Sequence, residues 1–188
     1  MEKIKVENLK DINLKGKVIV FPTDTVYGLG AMINDKEGID KIYQIKQRNY
    51  SKPLSILVSN KDVSPYIYDN KKVVDLIDKY WPGALTIIAK KKDIVSDYIT
   101  SGLNTVGLRM PNNEISLKII NHFGPLATTS VNISGDEPLN DINEIEEYFS
   151  DVVDYIVIDK TKFSKVSSTV VQCVDDGYKV IRNGDIKL

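Results

Sequence analysis

Val18-Ile19-Val20-Phe21-Pro22-Thr23-Asp24-Thr25-Val26-Tyr27-Gly28-Leu29-Gly30 joins an apolar run to a hydroxyl-rich loop, and the rest of this 188-residue chain is organised around that junction. Val18 to Phe21 reads as a buried strand. The stretch behind it places three hydroxyls, one carboxylate and two glycines in a space too short for a helix. Glycine lets main chain approach a ligand closely. Sixteen residues after Gly30 comes Lys46-Gln47-Arg48, with Lys52 just beyond. Hydroxyls and close-approach backbone facing cations are what an anionic ligand needs, since Lys and Arg offset phosphate charge.

Outward from this junction, helices and strands alternate. A helix is expected over 36–48, opened by a capping box in which Asn34 stands three residues before Glu37. A short buried strand follows at 54–58. A helix over 71–80 has Val73, Leu76, Ile77 and Tyr80 at helical spacing, and Pro82-Gly83 stops it before a strand at 84–90. The pattern continues with a strand at 105–109, a helix at 113–122, a strand at 126–129, a loop to about 140 and a helix at 141–149. Strands at 152–158, 168–174 and 178–182 complete it. The N-terminal Lys/Glu/Asn-rich segment reads as a peripheral strand or a loosely held arm. This order predicts an α/β fold with a twisted mixed sheet flanked by helices, in one domain over 1–188.

Composition narrows the chemistry. Hydrophobic residues make up 42% and charged residues 27%, as in folded globular proteins rather than disordered ones. A net charge of −1 gives no global case for nucleic-acid binding, although a local basic groove remains compatible with it. The N-terminus has no signal-peptide core and no apolar run is long enough to span a bilayer, so a cytoplasmic protein is expected. One cysteine, Cys173, excludes an internal disulfide, and one histidine, His122, excludes a three-histidine zinc site. His122 ends a helical segment, where its charge suits the helix dipole. Chemistry in this chain is expected to rest on positioning and charge stabilisation.

Each candidate has a plain alternative. Lys46 continues the apolar stripe Ile39, Ile42, Tyr43, so it either snorkels at the helix end or aims into a site. Three cations in seven residues repel unless they are solvated or face an anion. Gly28 and Gly30 fit an ordinary turn, and no phosphate-loop or dinucleotide fingerprint is present. Ala127-Thr128-Thr129-Ser130-Val131-Asn132-Ile133-Ser134-Gly135 and Ser167-Ser168-Thr169-Val170-Val171 place hydroxyls at strand ends, which also suits side-chain turns and β-propensity. Arg109 and Arg182 end strands. A lone arginine there is a surface residue, whereas several beside hydroxyl-rich loops form a convergent polar pocket.

The motifs taken together resemble the YrdC domain family, and within it the single-domain threonylcarbamoyl-AMP synthases of the TsaC type. The landmarks are Pro22-Thr23-Asp24-Thr25-Val26-Tyr27-Gly28-Leu29, Lys46-x-Arg48, Trp81-Pro82-Gly83-Ala84-Leu85-Thr86 and Gly107-Leu108-Arg109-Met110-Pro111. They continue with Thr129-Ser130-Val131-Asn132-Ile133-Ser134-Gly135, Ser168-Thr169-Val170-Val171 and Ile181-Arg182-Asn183-Gly184. The resemblance implies a mixed sheet resembling the RibB-type fold, with a basic concave cleft. It implies that L-threonine, bicarbonate and ATP, with Mg²⁺, give threonylcarbamoyl-AMP and pyrophosphate. Partners of the TsaB, TsaD and TsaE type would then transfer the threonylcarbamoyl group to the adenosine beside the anticodon of tRNA. It also implies binding of tRNA or double-stranded RNA.

Carried over by motif, Thr25, Arg109, Ser130 and Ser168 would contact threonine. Arg48, Lys52, Thr105, Asn132, Asn140 and Arg182 would hold ATP, and Lys46 would help line the same pocket, with Lys46, Arg48 and Lys52 stabilising charge. Leu57 stands where many relatives have histidine, Asn140 where many have threonine, and Asn183 where proline is usual. Two other functions belong to related chains. One is a non-catalytic double-stranded RNA-binding or translation-associated factor, which a clear basic excess would favour. The other is the carbamoyl-transferring part of hydrogenase maturation proteins, which sits in longer chains with zinc-finger regions.

Overall fold

The computed structural model describes residues 1–159, 161–174 and 177–188. Ten strands form one sheet in the order β1-β8-β2-β3-β7-β4-β6-β5-β9-β10. They are β1 (Glu2–Ile4), β2 (Ile19–Phe21), β3 (Gly28–Met32), β4 (Ser55–Leu57), β5 (Leu85–Lys90), β6 (Thr105–Arg109), β7 (Leu126–Ser130), β8 (Tyr155–Val157), β9 (Thr169–Val174) and β10 (Gly177–Arg182). The helices are α1 (Lys36–Ile45), α2 (Lys71–Tyr80), α3 (Asp97–Thr100), α4 (Glu114–Phe123) and α5 (Ile142–Phe149), with a 3₁₀ turn at Val6–Asp11. Parallel ladders (β1/β8, β2/β8, β4/β6, β5/β9) mix with antiparallel ones (β2/β3, β3/β7, β4/β7, β5/β6, β9/β10), so the mixed sheet expected from the sequence is present.

Strand side chains alternate between the two faces of a sheet. One face carries Leu29, Ala127, Ile56, Val106, Leu108, Ile87 and Val171, all buried in one cluster with Ile39, Ile42, Val73, Leu76, Ile77, Ile145 and Phe149 of α1, α2 and α5. The other face is divided. At the β8-β2-β3 end Ile19, Phe21, Leu126, Tyr155 and Val157 pack under Ile119 and Ile120 of α4 and Leu9 of the 3₁₀ turn. Across β7-β4-β6-β5-β9 no helix among the described residues covers it, and that uncovered half is the floor of a cleft.

Several local readings need correction. The stretch from Gly28 to Met32 is a strand, β3, rather than a continuation of the loop. Its glycines sit against Phe21 and Thr128, and a Cβ on Gly30 would lie 3.0 Å from the Phe21 ring. Asp35, not Asn34, caps α1, its carboxylate accepting from Gly38 N at 3.3 Å. The helix stops at Ile45 instead of 48 because Gln47 takes a left-handed φ of 48°. Gln47 N then bonds Gln44 O and Arg48 N bonds Tyr43 O, a Schellman closure. The N-terminal segment is the edge strand β1, parallel to β8, and the strand expected at 152–158 shortens to Tyr155–Val157. The short α3 was not foreseen. Helix 71–80 and strand 105–109 stand as expected.

Candidate active site

The open half-sheet forms a cleft of about 530 Å³. Its floor is every second residue of adjoining strands: Ser55 and Leu57, Thr86 and Ile88, Thr105, Gly107 and Arg109, Thr128 and Ser130, Ser168 and Val170. Hydroxyls and one glycine alternate there with Leu57, Ile88 and Val170, and the space is tightest at the glycine. A Cβ on Gly107 would lie 3.1 Å from Ser55 Oγ and 3.2 Å from Thr86 Cγ2. The walls come from Thr23 to Gly28, from Arg48 and Ser51 to Leu54, and from Ile181 and Arg182. Arg48, Lys52, Arg109 and Arg182 are its charged lining residues, and no carboxylate stands among the described residues that line it.

The loop after β2 folds on its own hydroxyls. Thr23 Oγ1 donates to Val26 O at 2.6 Å and accepts from Thr25 N and Val26 N. Thr23 Oγ1 also lies 3.1 Å from Thr25 Oγ1. Thr25 Oγ1 in turn accepts from Arg109 Nη1 at 2.8 Å. Arg109 also donates through Nε to Gly83 O at 3.0 Å, and its Nη2 pairs with Asp24. Burial disfavours the Arg109 charge, and Asp24, with a smaller contribution from Asp185, opposes that effect. The loop is backed by Ser116 of α4, which donates to Pro22 O at 2.7 Å. It is crossed by the 164–165 segment, where Ser164 N bonds Asp24 O and Lys165 N bonds Thr25 O.

On the opposite wall Arg48 donates to Lys52 O at 3.1 Å and Pro53 O at 3.0 Å, shaping the turn from which exposed Lys52 projects. Ser168 Oγ lies 2.9 Å from Thr86 Oγ1 and accepts from Arg182 Nη2 at 3.2 Å. Burial also lowers the pKa of Arg48 and Arg182 from the ordinary arginine value.

Of the residues expected at a site, Thr25, Arg48, Lys52, Thr105, Arg109, Ser130, Ser168 and Arg182 come together in this cleft. Lys46, Asn132 and Asn140 do not line it. Lys46 is only 1% exposed and lies behind the Ser130–Asn132 segment. Its ammonium donates to Ser130 O (2.5 Å), Asn132 O (2.9 Å) and Asn132 Oδ1 (2.6 Å). Burial, and then the nearby Arg48, pull its pKa down to about 7. Asn132 is used within the same network, accepting from Ser130 Oγ and donating to Asp136 O. Asn140 donates to Pro138 O, and its Oδ1 is buried without a partner among the described residues. Sequence reasoning did not single out Asp24, Ser55, Thr86, Gly107 or Thr128 as site residues. For Ser55, Thr86, Gly107 and Thr128 the signal is small or polar residues at alternate strand positions where a second buried face would require apolar ones; Asp24, in the loop after β2, has no such signal.

Comparison with known proteins agrees with this geometry. A family model described as "Telomere recombination", covering the Sua5, YciO and YrdC proteins, matches residues 11–184. A Methanocaldococcus jannaschii protein provisionally named a threonylcarbamoyl-AMP synthase is 40% identical over 187 residues, covering 97% of this chain and 87% of that protein. A Bacillus subtilis threonylcarbamoyl-AMP synthase is 34% identical over 178 residues, 92% of this chain and 51% of its own length. The crystal structure of Pyrococcus abyssi Sua5 complexed with L-threonine superposes with a TM-score of 0.88 at 31% identity, over 97% of this chain and 56% of that one. This chain thus spans about half the length of the Bacillus and Pyrococcus proteins. Escherichia coli YciO superposes with a TM-score of 0.82 at 28% identity, over 95% of this chain and 86% of that one. Seven motifs, one sheet with an uncovered hydroxyl-lined half, and these matches lead to one assignment: the chain belongs to the Sua5/YciO/YrdC family.

Proposed function

We propose that this chain is a threonylcarbamoyl-AMP synthase, a nucleotidyltransferase that joins L-threonine, bicarbonate and ATP into threonylcarbamoyl-AMP and releases pyrophosphate. The observation that carries this reading is the floor of alternating hydroxyls flanked by Arg48, Lys52, Arg109 and Arg182. The threonine amine and bicarbonate form a carbamate and water. A carbamate oxygen then bonds the α-phosphorus as the bond to pyrophosphate breaks. Both reactants are anions, and their approach without cations is costly in a poorly hydrated cleft. Four cations offset that charge, and holding three substrates together lowers the entropic barrier. The carbamate is already an anion, so no general base is needed, which accords with a chain whose single histidine lies outside the cleft lining.

In this reading Arg109, Thr25, Ser130 and Ser168 receive threonine, and Arg48, Lys52, Thr105 and Arg182 hold ATP. Lys46 and Asn132 act from behind, by fixing the loop that presents Ser130. Mg²⁺ bound to the ATP phosphates would offset part of their charge, and Arg48, Lys52 and Arg182 would hold the phosphates beside it. The product passes to proteins of the TsaB, TsaD and TsaE type, which modify tRNA in the cytoplasm. No helix among the described residues is long and apolar enough to cross a membrane. The test is pyrophosphate release from ATP with Mg²⁺ and bicarbonate, with L-threonine, serine, glycine or no amino acid. Threonine-dependent release is expected. A folded protein that releases none, or releases it equally without amino acid, overturns the proposal.

A further inference from the structure

A regular strand turns adjacent side chains to opposite faces, yet Ile181 and Arg182 both line the cleft. The cause is a break in the β9/β10 ladder. Val180 pairs with Val171, but the next partner of β9, Val170, pairs with Arg182, so Ile181 is the extra residue of a bulge. Bulges bend a strand and re-aim the residue that follows. Here that residue reaches Ser168, with Arg182 Nε and Nη2 donating to Ser168 O at 3.1 and 2.8 Å.

A bulge at a sheet edge has neighbours on one side only, so something else must hold it. The chain after Arg182 turns back across the start of β9 and is knotted to one side chain. Thr169 Oγ1 donates to Ile186 O at 2.6 Å and accepts from Gly184 N and Ile186 N, both at 3.1 Å. Asp185 N adds a bond to Ser167 O at 3.0 Å. The approach is so close that a Cβ on Gly184 would lie 2.3 Å from Ser167 O. Thr169 is itself 1% exposed and its side chain faces away from the cleft, since its neighbours Ser168 and Val170 line it. Its hydroxyl uses its one proton and accepts two more, and none of these bonds reaches toward a substrate.

We propose that Thr169 is a positioning residue of the active site: by tying Gly184 and Ile186 to the start of β9, its hydroxyl holds the bulge at Ile181 and so sets Arg182 against Ser168 on the cleft wall. The proposal rests on the synthase reading for its kinetic consequences, but its structural core does not. Thr169→Val keeps the shape and removes all three hydrogen bonds, whereas Thr169→Ser keeps the hydroxyl.

Two measurements test it on the full chain. The first follows the Arg182 Nε–H resonance, assigned with Arg182→Lys, without any substrate. A slowly exchanging signal is expected in the parent and in Thr169→Ser, and a broadened or fast-exchanging one in Thr169→Val. The second follows steady-state pyrophosphate release below the melting temperatures of all variants. Thr169→Val is expected to raise the KM for ATP about tenfold with kcat changed less than threefold, and Thr169→Ser to stay within twofold of the parent. A purely structural role would reduce the active fraction, and with it kcat, while leaving KM and the Arg182 resonance alone. An unchanged Arg182 signal in Thr169→Val overturns the proposal. A parent protein without turnover overturns the synthase reading instead, and the resonance still decides the role of Thr169.

Discussion

Removing the Asp24 carboxylate should leave a buried guanidinium without its anion, and the cost can be worked from the contacts. Arg109 is 6% exposed and has three partners, of which only Asp24 carries charge. Breaking a buried ion pair by deleting one partner costs about 3–5 kcal/mol. Two features bring this site to the lower end of that range or just below it. The Asp24 side chain keeps 16% exposure, so water screens part of the pair, and Thr25 Oγ1 and Gly83 O still accept from Arg109. We expect Asp24→Ala to lose about 2–3 kcal/mol in urea unfolding at neutral pH. Deleting both partners removes the orphaned charge, so Asp24→Ala with Arg109→Met should be more stable than the sum of the single losses by at least about 1 kcal/mol. Parent-like stability of Asp24→Ala, within about 0.5 kcal/mol, would refute the ion-pair reasoning. So would strict additivity of the two substitutions.

Three further expectations follow from the same wall-by-wall reading. Arg48→Ala and Lys52→Ala should each raise the KM for ATP, and Arg109→Ala the KM for threonine, by about tenfold or more if one charge-assisted hydrogen bond is lost; unchanged kinetics in all three would remove the site. Lys46 titrates near 7 in the fold against 10.5 for the ordinary side chain. Between those values the unfolded chain holds a proton the folded one lacks, so unfolding free energy should rise with pH, by at most about 1.4 kcal/mol per unit. Lys46→Met should lack that slope, and a flat difference between the two proteins from pH 7 to 9.5 would contradict the lowered value. Gly107→Val should fill the cleft floor against Ser55 and Thr86, abolishing ATP binding measured by calorimetry while circular dichroism stays native; retained binding would misplace the floor.

The helices were legible because their buried stripes are local. Val73, Leu76 and Ile77 repeat at helical spacing, and Asn70 caps them at Val73 N. The end of α1 was not, because nothing about Gln47 announces a left-handed φ in the way that glycine does. Lys46 was legible as a lysine on an apolar stripe, but not its target. Its partners Ser130 and Asn132 lie more than eighty residues away, and their carbonyls are invisible in any side-chain pattern. The same limit hid Asp24, whose role depends on Arg109 meeting it across the sheet. The glycines at 28 and 30 suggested a turn, since one sequence cannot tell a turn glycine from one pressed against Phe21 and Thr128.

The sheet order has a kinetic consequence. Strands that adjoin at the cleft floor are far apart along the chain: β7 lies beside β3 and β4, and β9 lies beside β5. Such non-local pairings are slow to form, because loop entropy is lost before contacts compensate for it. No local fragment contains two complete walls, so partly folded chains should have no partial affinity for ATP. Appearance of nucleotide binding during refolding should therefore coincide with the last structural phase, which makes binding a direct clock for completion of the sheet.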